Sequence, residues 1–396
     1  MAVIVAFIAI VFLTPWGRAS KKRRVEVYLG GTCTDPDSRR FHGSMGRTMT
    51  STKRNWYMQD IFPEHALTNV GVIVCLGIIL MAFAACFIFN TDVLTGGTFY
   101  VERLPRLVGP GLPGLLLGVV VFAVCAPVIG CLLDGLDRKV SAHMQGRVGP
   151  KLLQPYYDVR KLLAKEQASV NAVDEAYITC AIIFCLLAGG MFISGSNLLM
   201  CVFLVTLATL FVIIASYSAR SPFADTGADR ECLQVMSYEP MLLIMTVGFF
   251  GATQSLLTLE QPMIISLIPI FLGLLFILTI KLRKSPFDYS YSHHAHQELV
   301  KGITTEMEGR TLAKVEIMHW CETVLFLMWV GMFFIWDNPI SFVVALVVVA
   351  LTWFFEVFID NNSARTKWQF GLKYAWLVAL VAGVVNLFYM LITPFI

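Results

Sequence analysis

Charge is scarce in this chain. Only 14% of its 396 residues are Asp, Glu, Lys or Arg, against about 25% in an ordinary soluble domain. That shortage excludes a disordered protein, a nucleic-acid binder and an ordinary soluble enzyme. Closely spaced cysteines are missing too. Ten cysteines stand at positions 33, 75, 86, 125, 131, 180, 185, 201, 232 and 321, and no two form a C-x-x-C pair. Iron–sulfur ligation by clustered thiolates is thereby disfavoured, as is a disulfide framework. Most of these cysteines fall in apolar runs, where Cys is a small buried hydrophobe. What the chain does have is apolar surface. The hydrophobic set makes up 57% of it, so lipid is expected to be its main solvent.

Eight apolar runs form the body of the chain: Pro113–Leu133, Tyr177–Gly195, Asn197–Tyr217, Tyr238–Leu257, Pro262–Leu282, Ile317–Trp336, Ile340–Ile359 and Tyr374–Ile392. Each approaches the roughly 20 residues that a helix needs to cross a hydrocarbon core. None alternates with the period of two that marks a barrel strand. Two more runs lie upstream, Met1–Trp16 and Val70–Phe89. The first lacks a basic segment before its apolar stretch and is followed by Lys21–Arg24, which predicts a retained helix rather than a cleaved signal. The fold class expected is all-α and polytopic, with an eight-span core and about two N-terminal spans. The boundaries expected are 1–90 for an N-terminal membrane extension, 91–112 for a Gly/Pro-rich linker and 113–396 for the core. Alternate connections (17–69, 134–176, 218–237, 281–316 and 360–373) hold 28 of the 30 Lys and Arg. Basic excess marks the cytoplasm. Both termini are therefore expected outside, and the large soluble surface inside.

Acids gather toward that same side. Asp134 and Asp137 end the first core span. Asp225, Asp229 and Glu231 precede Glu239 at the fourth. Glu316 and Glu322 lie in the sixth, and Glu356 and Asp360 end the seventh, four apart and so on one helical face. An isolated carboxylate at mid-bilayer costs about 2.5–3.5 kcal/mol on insertion scales, so such residues need a reason. Any one of them can be an interfacial carboxylate or an ion-pair partner. Apolar neighbours would desolvate Glu239 and Glu322, which suits proton exchange.

The loops carry further signals. Ser292-His-His-Ala-His296 can be read as a hydrogen-bonded segment packing on a partner, as a protonation switch, or as a metal site with His319 as a distant third ligand. After Gly146-Arg-Val-Gly-Pro150, the stretch 154–166 reads as an amphipathic helix lying in the interface plane. Leu152, Leu153, Tyr156, Val159, Leu162 and Leu163 are expected on one face, with Asp158, Lys161 and Lys165 on the other.

These loops carry a family resemblance. Asp137-Arg-Lys139, Arg147-x-Gly-Pro150, Leu152-Leu-Gln-Pro155 and Asp158-x-x-Lys-Leu-x-x-Lys-Glu166 are similar to motifs of the heel subunit of respiratory complex I, which contains the quinone chamber. Arg230-x-x-x-Gln234-x-x-Ser-Tyr-Glu239 resembles its fourth-span signature. Ser285-Pro-Phe-Asp288, Gln297-Glu-Leu-Val300 and Thr305-Glu306-x-x-Gly309 resemble its long cytoplasmic loop. Two departures point to one branch. Lys151 alone separates the Arg-x-Gly-Pro and Leu-Leu-Gln-Pro motifs. In place of an acidic run stands Ser292-His-His-Ala-His-Gln-Glu-Leu-Val-Lys-Gly302, and Glu316-x-x-His319-Trp follows. These resemble the membrane subunit of energy-converting, Ech-type (group 4) nickel–iron hydrogenases. Residues 1–90 weakly resemble the tail of an antiporter-like subunit.

The resemblance implies a subunit that anchors catalytic proteins on the inner face of a prokaryotic cytoplasmic membrane. It would couple ferredoxin- or formate-linked proton reduction, or hydrogen oxidation, to H⁺ or Na⁺ movement. Glu239, Glu298 and Glu306 then correspond to acids of the proton path, with Asp137 and Arg138 at its base. Glu231, Glu322, Glu356 and Asp360 extend the set. The expected docking contacts are Arg147, Gln154, Asp158, Lys161, Lys165, Glu166, Arg230, Asp288, His293, His294 and His296. No cofactor is expected in this chain. The nickel–iron centre and iron–sulfur clusters belong to partners, namely a large and a small hydrogenase subunit, with ferredoxin acting indirectly. Antiporter-like membrane subunits and lipid are the other expected neighbours. A quinone-site subunit of a complex-I-type dehydrogenase is the alternative. A stand-alone secondary transporter should show two related halves, and no internal repeat is present.

Overall fold

The computed structural model describes residues 112–165, 172–195, 197–219, 221–255, 262–290, 301–336 and 340–392. All lie within one compact unit, Gly71–Ile396. The two upstream apolar runs, the linker up to residue 111 and the antiporter-like segment fall outside the described residues, as do Glu166, His293, His294, His296 and Glu298.

Nine α-helices are seen among the described residues. They are α1 (Leu112–Met144), α2 (Gln154–Ala164), α3 (Ala172–Ile193), α4 (Leu198–Ser218), α5 (Pro222–Ser255), α6 (Ile268–Lys281), α7 (Gly309–Met332), α8 (Ile340–Asn362) and α9 (Trp368–Ile392). All but α2 and α6 are long and apolar enough to cross a membrane. The chain is an all-α, multi-pass membrane protein. With no water in hydrocarbon, backbone amides must be satisfied within the segment, and a helix does that.

All eight apolar runs are helical, but their ends differ from expectation. Helix α1 continues past Leu133 to Met144, and α5 begins at Pro222 rather than near Tyr238. Hydropathy reports only the lipid-matched part of a helix. Pro222, at the first helical position, starts α5 where a missing N–H costs nothing. The expected loop 218–237 is therefore mostly helix. The opposite correction applies to Pro262–Leu282. Pro262 precedes a 3₁₀ turn (Met263–Ile265), Pro269 sits in the first turn of α6, and the helix runs only from Ile268 to Lys281. Its 14 residues cover about 21 Å of a roughly 30 Å core.

Helices α4 and α7 are the most enclosed, while α1, α8 and α9 show Val120, Leu346 and Leu380 outward. The connections after α1, α4, α6 and α8 share one end of the bundle. Gln145 donates to Asn361 at 3.0 Å, Ser216 Oγ to the Ile303 carbonyl at 3.1 Å, and the Thr366 N–H to Pro286 O at 3.1 Å.

Helix α2 lies at that end. Its apolar residues do not form the single face read from the sequence. Val159 and Leu162 turn inward onto Cys131, Ala313, Trp320 and Ile317. Leu153, Tyr156 and Leu163 point away from the bundle as a second stripe, because each step of three residues falls back by about 60° around the helix, which carries Val159 and Leu162 off the line of Tyr156 and Leu163. Close approach of α2 requires Gly135. A Cβ there would overlap the Leu152 carbonyl oxygen. Gly135→Ala is expected to cost about 1–3 kcal/mol, as overpacking does. A lower melting temperature and faster proteolysis between α1 and α2 are the readouts.

Candidate functional site

The C-terminus of α6 sends three cations toward five helices, α1, α4, α5, α7 and α8. Leu282 caps the helix, and Arg283 takes a left-handed backbone (φ 55°). Its N–H donates to Ile280 O and that of Lys284 to Thr279 O, both at 3.1 Å. This closing turn usually holds Gly, and a side chain there costs about 1–2 kcal/mol. The turn aims Lys281, Arg283 and Lys284 in three directions. Cations also suit the partial negative charge of a helix C-terminus.

Lys281, fully enclosed, meets Glu322 of α7 at 3.0 Å. It donates to Thr209 Oγ1 at 2.9 Å and to the Tyr238 hydroxyl at 3.2 Å, and lies over the Tyr238 and Phe326 rings. Glu322 stands roughly 15 Å along the axis from the α7 C-terminus at Met332, which is mid-bilayer depth. The Ile264 N–H donates to Phe333 O at 3.0 Å, tying the start of α6 to that same end. Glu322 is thus an ion-pair partner, not the lone desolvated acid that its apolar neighbours suggested.

Arg283 donates from Nη2 to Glu231 Oε1 at 3.2 Å and from Nη1 to His319 Nε2 at 2.7 Å. A guanidinium only donates, so Nε2 is the unprotonated nitrogen. The Nδ1–H then faces Glu322 Oε2 at 3.5 Å. Glu231 accepts from Ser290 Oγ, which lies 2.8 Å from Gln234 Oε1, and Gln234 Nε2 donates to Phe287 O at 2.5 Å. Glu231, Gln234 and Tyr238 occupy one line along α5 because they are spaced i, i+3, i+7. The chain of contacts thus runs from mid-bilayer to segment 283–290.

Lys284 pairs with Asp137 of α1 and with Asp360 of α8, the latter at 3.3 Å. Burial works against its ammonium, but the two carboxylates outweigh it and hold its pKa above the ordinary lysine value. The stability of this clamp is therefore fully present through neutral pH and is lost only as alkali takes the pH through the raised value.

Asp137 and Arg138 are not partners of each other, since consecutive helical residues diverge by about 100°. Arg138 holds Asp134 through two nitrogens at 3.1 and 3.2 Å and reaches Asp158 of α2 at 2.7 Å. Asp137, Glu231, Glu322, Glu356 and Asp360 are brought together around the C-terminus of α6, while Arg138 faces α2. Glu239 is not joined to them: its Oε1 is buried with no hydrogen-bond partner, and it sits on another side of α5 from Tyr238. Glu306 is exposed beyond the turn Gly302–Thr304.

Of the expected docking residues, Arg147 and Lys161 are exposed. Gln154 donates to Asp158 at 3.0 Å, and Lys165 meets Glu308 at 3.4 Å. Arg230 donates to Tyr289 O, and Asp288 faces Arg365, both at 3.4 Å. Sequence reasoning missed Lys281, Arg283, Lys284 and Thr209 as site residues. Three cations within four positions at the end of an otherwise apolar run were the available signal.

A polytopic bundle with ion pairs threaded from mid-membrane to its loop-bearing end is an integral membrane protein that carries charge into the bilayer. Comparison with known proteins agrees. Residues 117–391 match the NADH dehydrogenase family. That stretch exceeds half the chain, and the chain belongs to this family. Formate hydrogenlyase subunit 4 of Escherichia coli (strain K12) is 26% identical over 296 residues, covering 66% of this chain and 93% of that protein. NADH-ubiquinone oxidoreductase chain 1 of Mycosarcoma maydis is 27% identical over 301 residues, covering 66% and 90%. A chain of the membrane-bound sulfane sulfur reductase, an archaeal respiratory membrane complex, shares the fold with a TM-score of 0.60 at 20% identity. That match covers 69% of this chain and 99% of the other. The resemblance drawn from the loop motifs is borne out, and the protein is a subunit of an oxidoreductase complex.

Proposed function

We propose that this chain is the membrane subunit of an energy-converting nickel–iron hydrogenase in a prokaryotic cytoplasmic membrane. It anchors the large and iron–sulfur subunits at the inner face and couples their electron transfer to movement of H⁺ or Na⁺. The relatives from formate hydrogenlyase and hydrogenase-4 support that branch. The observation that carries the coupling role is the cation hub of Lys281, Arg283 and Lys284, joined by His319 and Glu231 to segment 283–290.

The mechanism is electrostatic. His319 accepts from Arg283 on one side and faces Glu322 on the other. A proton placed on Nε2 removes that acceptor and sets two positive groups against each other. Arg283 is then repelled, the Lys281–Glu322 pair gains a neighbouring charge, and the carboxyls respond as a coupled set. Movement of the loop by a docked redox partner runs the same sequence in reverse.

The quinone-linked reading is favoured by the relatives named NADH-ubiquinone oxidoreductase chain 1. Purifying the native assembly decides between the two. The expected result is a stoichiometric nickel-containing large subunit and an iron–sulfur subunit migrating with this chain. An assembly without nickel that reduces quinone instead would reject the hydrogenase assignment.

A further inference from the structure

Beside the hub lies a chamber of about 90 Å³ between α1, the end of α6, α7 and α8. A buried water needs roughly 10–15 Å³ of such space and polar partners, so the chamber has room for several. Most acids around it already have cations. Asp134 of α1 is held by Arg138 and by Trp320 Nε1, and Asp137 by Lys284. On α7, Glu322 is held by Lys281, and His319 faces Arg283; Glu316 also lines the chamber. On α8, Asp360 is bound by Lys284 and accepts from the Ser285 N–H at 2.9 Å. Glu356 differs. It is 1% exposed, it lines the chamber, and neither carboxyl oxygen has a hydrogen-bond partner.

We propose that this chamber is a proton-loading site in which the Glu356 carboxyl holds an exchangeable proton and releases it to chamber water under the control of Lys284. An ionised Glu356 with no partner would be an uncompensated buried charge; the neutral acid avoids that. A hard metal cation wants about six oxygen ligands, and the neighbouring carboxylates are engaged by lysine and arginine. Asp360 lies one turn beyond Glu356 on the same face. A shift of Lys284 by about 5 Å, one helical pitch, exchanges Asp360 for Glu356. The ammonium then favours the carboxylate, the O–H bond breaks, and the proton passes to water as hydronium. Return of Lys284 to Asp137 and Asp360 reverses the step, with no electron gained or lost.

This rests on the ion-coupling reading and sharpens it. The test uses the intact complex in native vesicles, treated with dicyclohexylcarbodiimide. This apolar reagent adds to a protonated carboxyl, and the acylurea is located by peptide mass spectrometry. The expected result is an adduct on Glu356 that fades as pH rises and is absent in Glu356→Gln. In Lys284→Gln the adduct should persist to higher pH by about one unit, as loss of a nearby opposite charge requires. Lys284→Arg should keep the wild-type profile. Exchanging choline for sodium at constant ionic strength should leave the yield unchanged. Protection by sodium, or no adduct on Glu356 at any pH while other carboxyls react, overturns the proposal. Either result leaves the subunit composition, and so the hydrogenase assignment, to be judged separately.

Discussion

Lys281→Met is expected to destabilise the assembled protein by about 3–5 kcal/mol, the usual effect of removing one partner from a buried ion pair. The lysine shares an enclosed site with Glu322 at 3.0 Å, with Thr209 and Tyr238 as further partners. Methionine fills much of the same volume and removes the charge, leaving Glu322 negative at mid-bilayer depth. The fall in melting temperature should be on the order of 10 °C. A thiol-reactive dye reads it directly, since Cys180, Cys185, Cys201 and Cys321 are buried until the bundle opens. Lys281→Met/Glu322→Met should recover most of the loss, because an apolar pair of similar volume replaces a buried ion pair at little cost. If the double variant melts no higher than the single one, the two residues are not an energetic pair.

His319→Gln is expected to separate hydrogen turnover from ion movement. A glutamine carbonyl can still accept from Arg283, and its amide can still donate toward Glu322, so the fold should survive. It cannot take up a proton. Dye-linked turnover by the catalytic subunits should stay near wild type. The gradient built by sealed vesicles should fall about tenfold or more, the scale at which general acid–base groups act. A merely structural histidine would give a wild-type gradient.

The bundle was legible in the sequence because lipid imposes one requirement on a long stretch of residues. All eight apolar runs are helices, and the resemblance at the loops led to the family. The ends were less legible. Helix α5 runs through Asp225, Asp229 and Glu231, which hydropathy treats as a loop although the backbone does not. The acids Asp137, Glu231, Glu322, Glu356 and Asp360 were visible as acids in unusual places. Their partners were not, because pairing depends on which helices touch, and Lys284 is joined to Asp137 across 147 positions. The left-handed turn at Arg283 has no sequence mark, since that conformation ordinarily announces itself with glycine.

Helix α6 is short, and its length fixes where the cations stand. Its C-terminal Lys281 meets Glu322 about 15 Å from the α7 C-terminus, near the middle of a roughly 30 Å hydrocarbon layer. A transmembrane voltage acts on any charge displaced between there and the aqueous edge. At 100 mV, about one half of the layer corresponds to roughly 1.2 kcal/mol per elementary charge. The energised state of the cell thus pulls on these side chains directly, as back-pressure that grows with the voltage the machine has itself built.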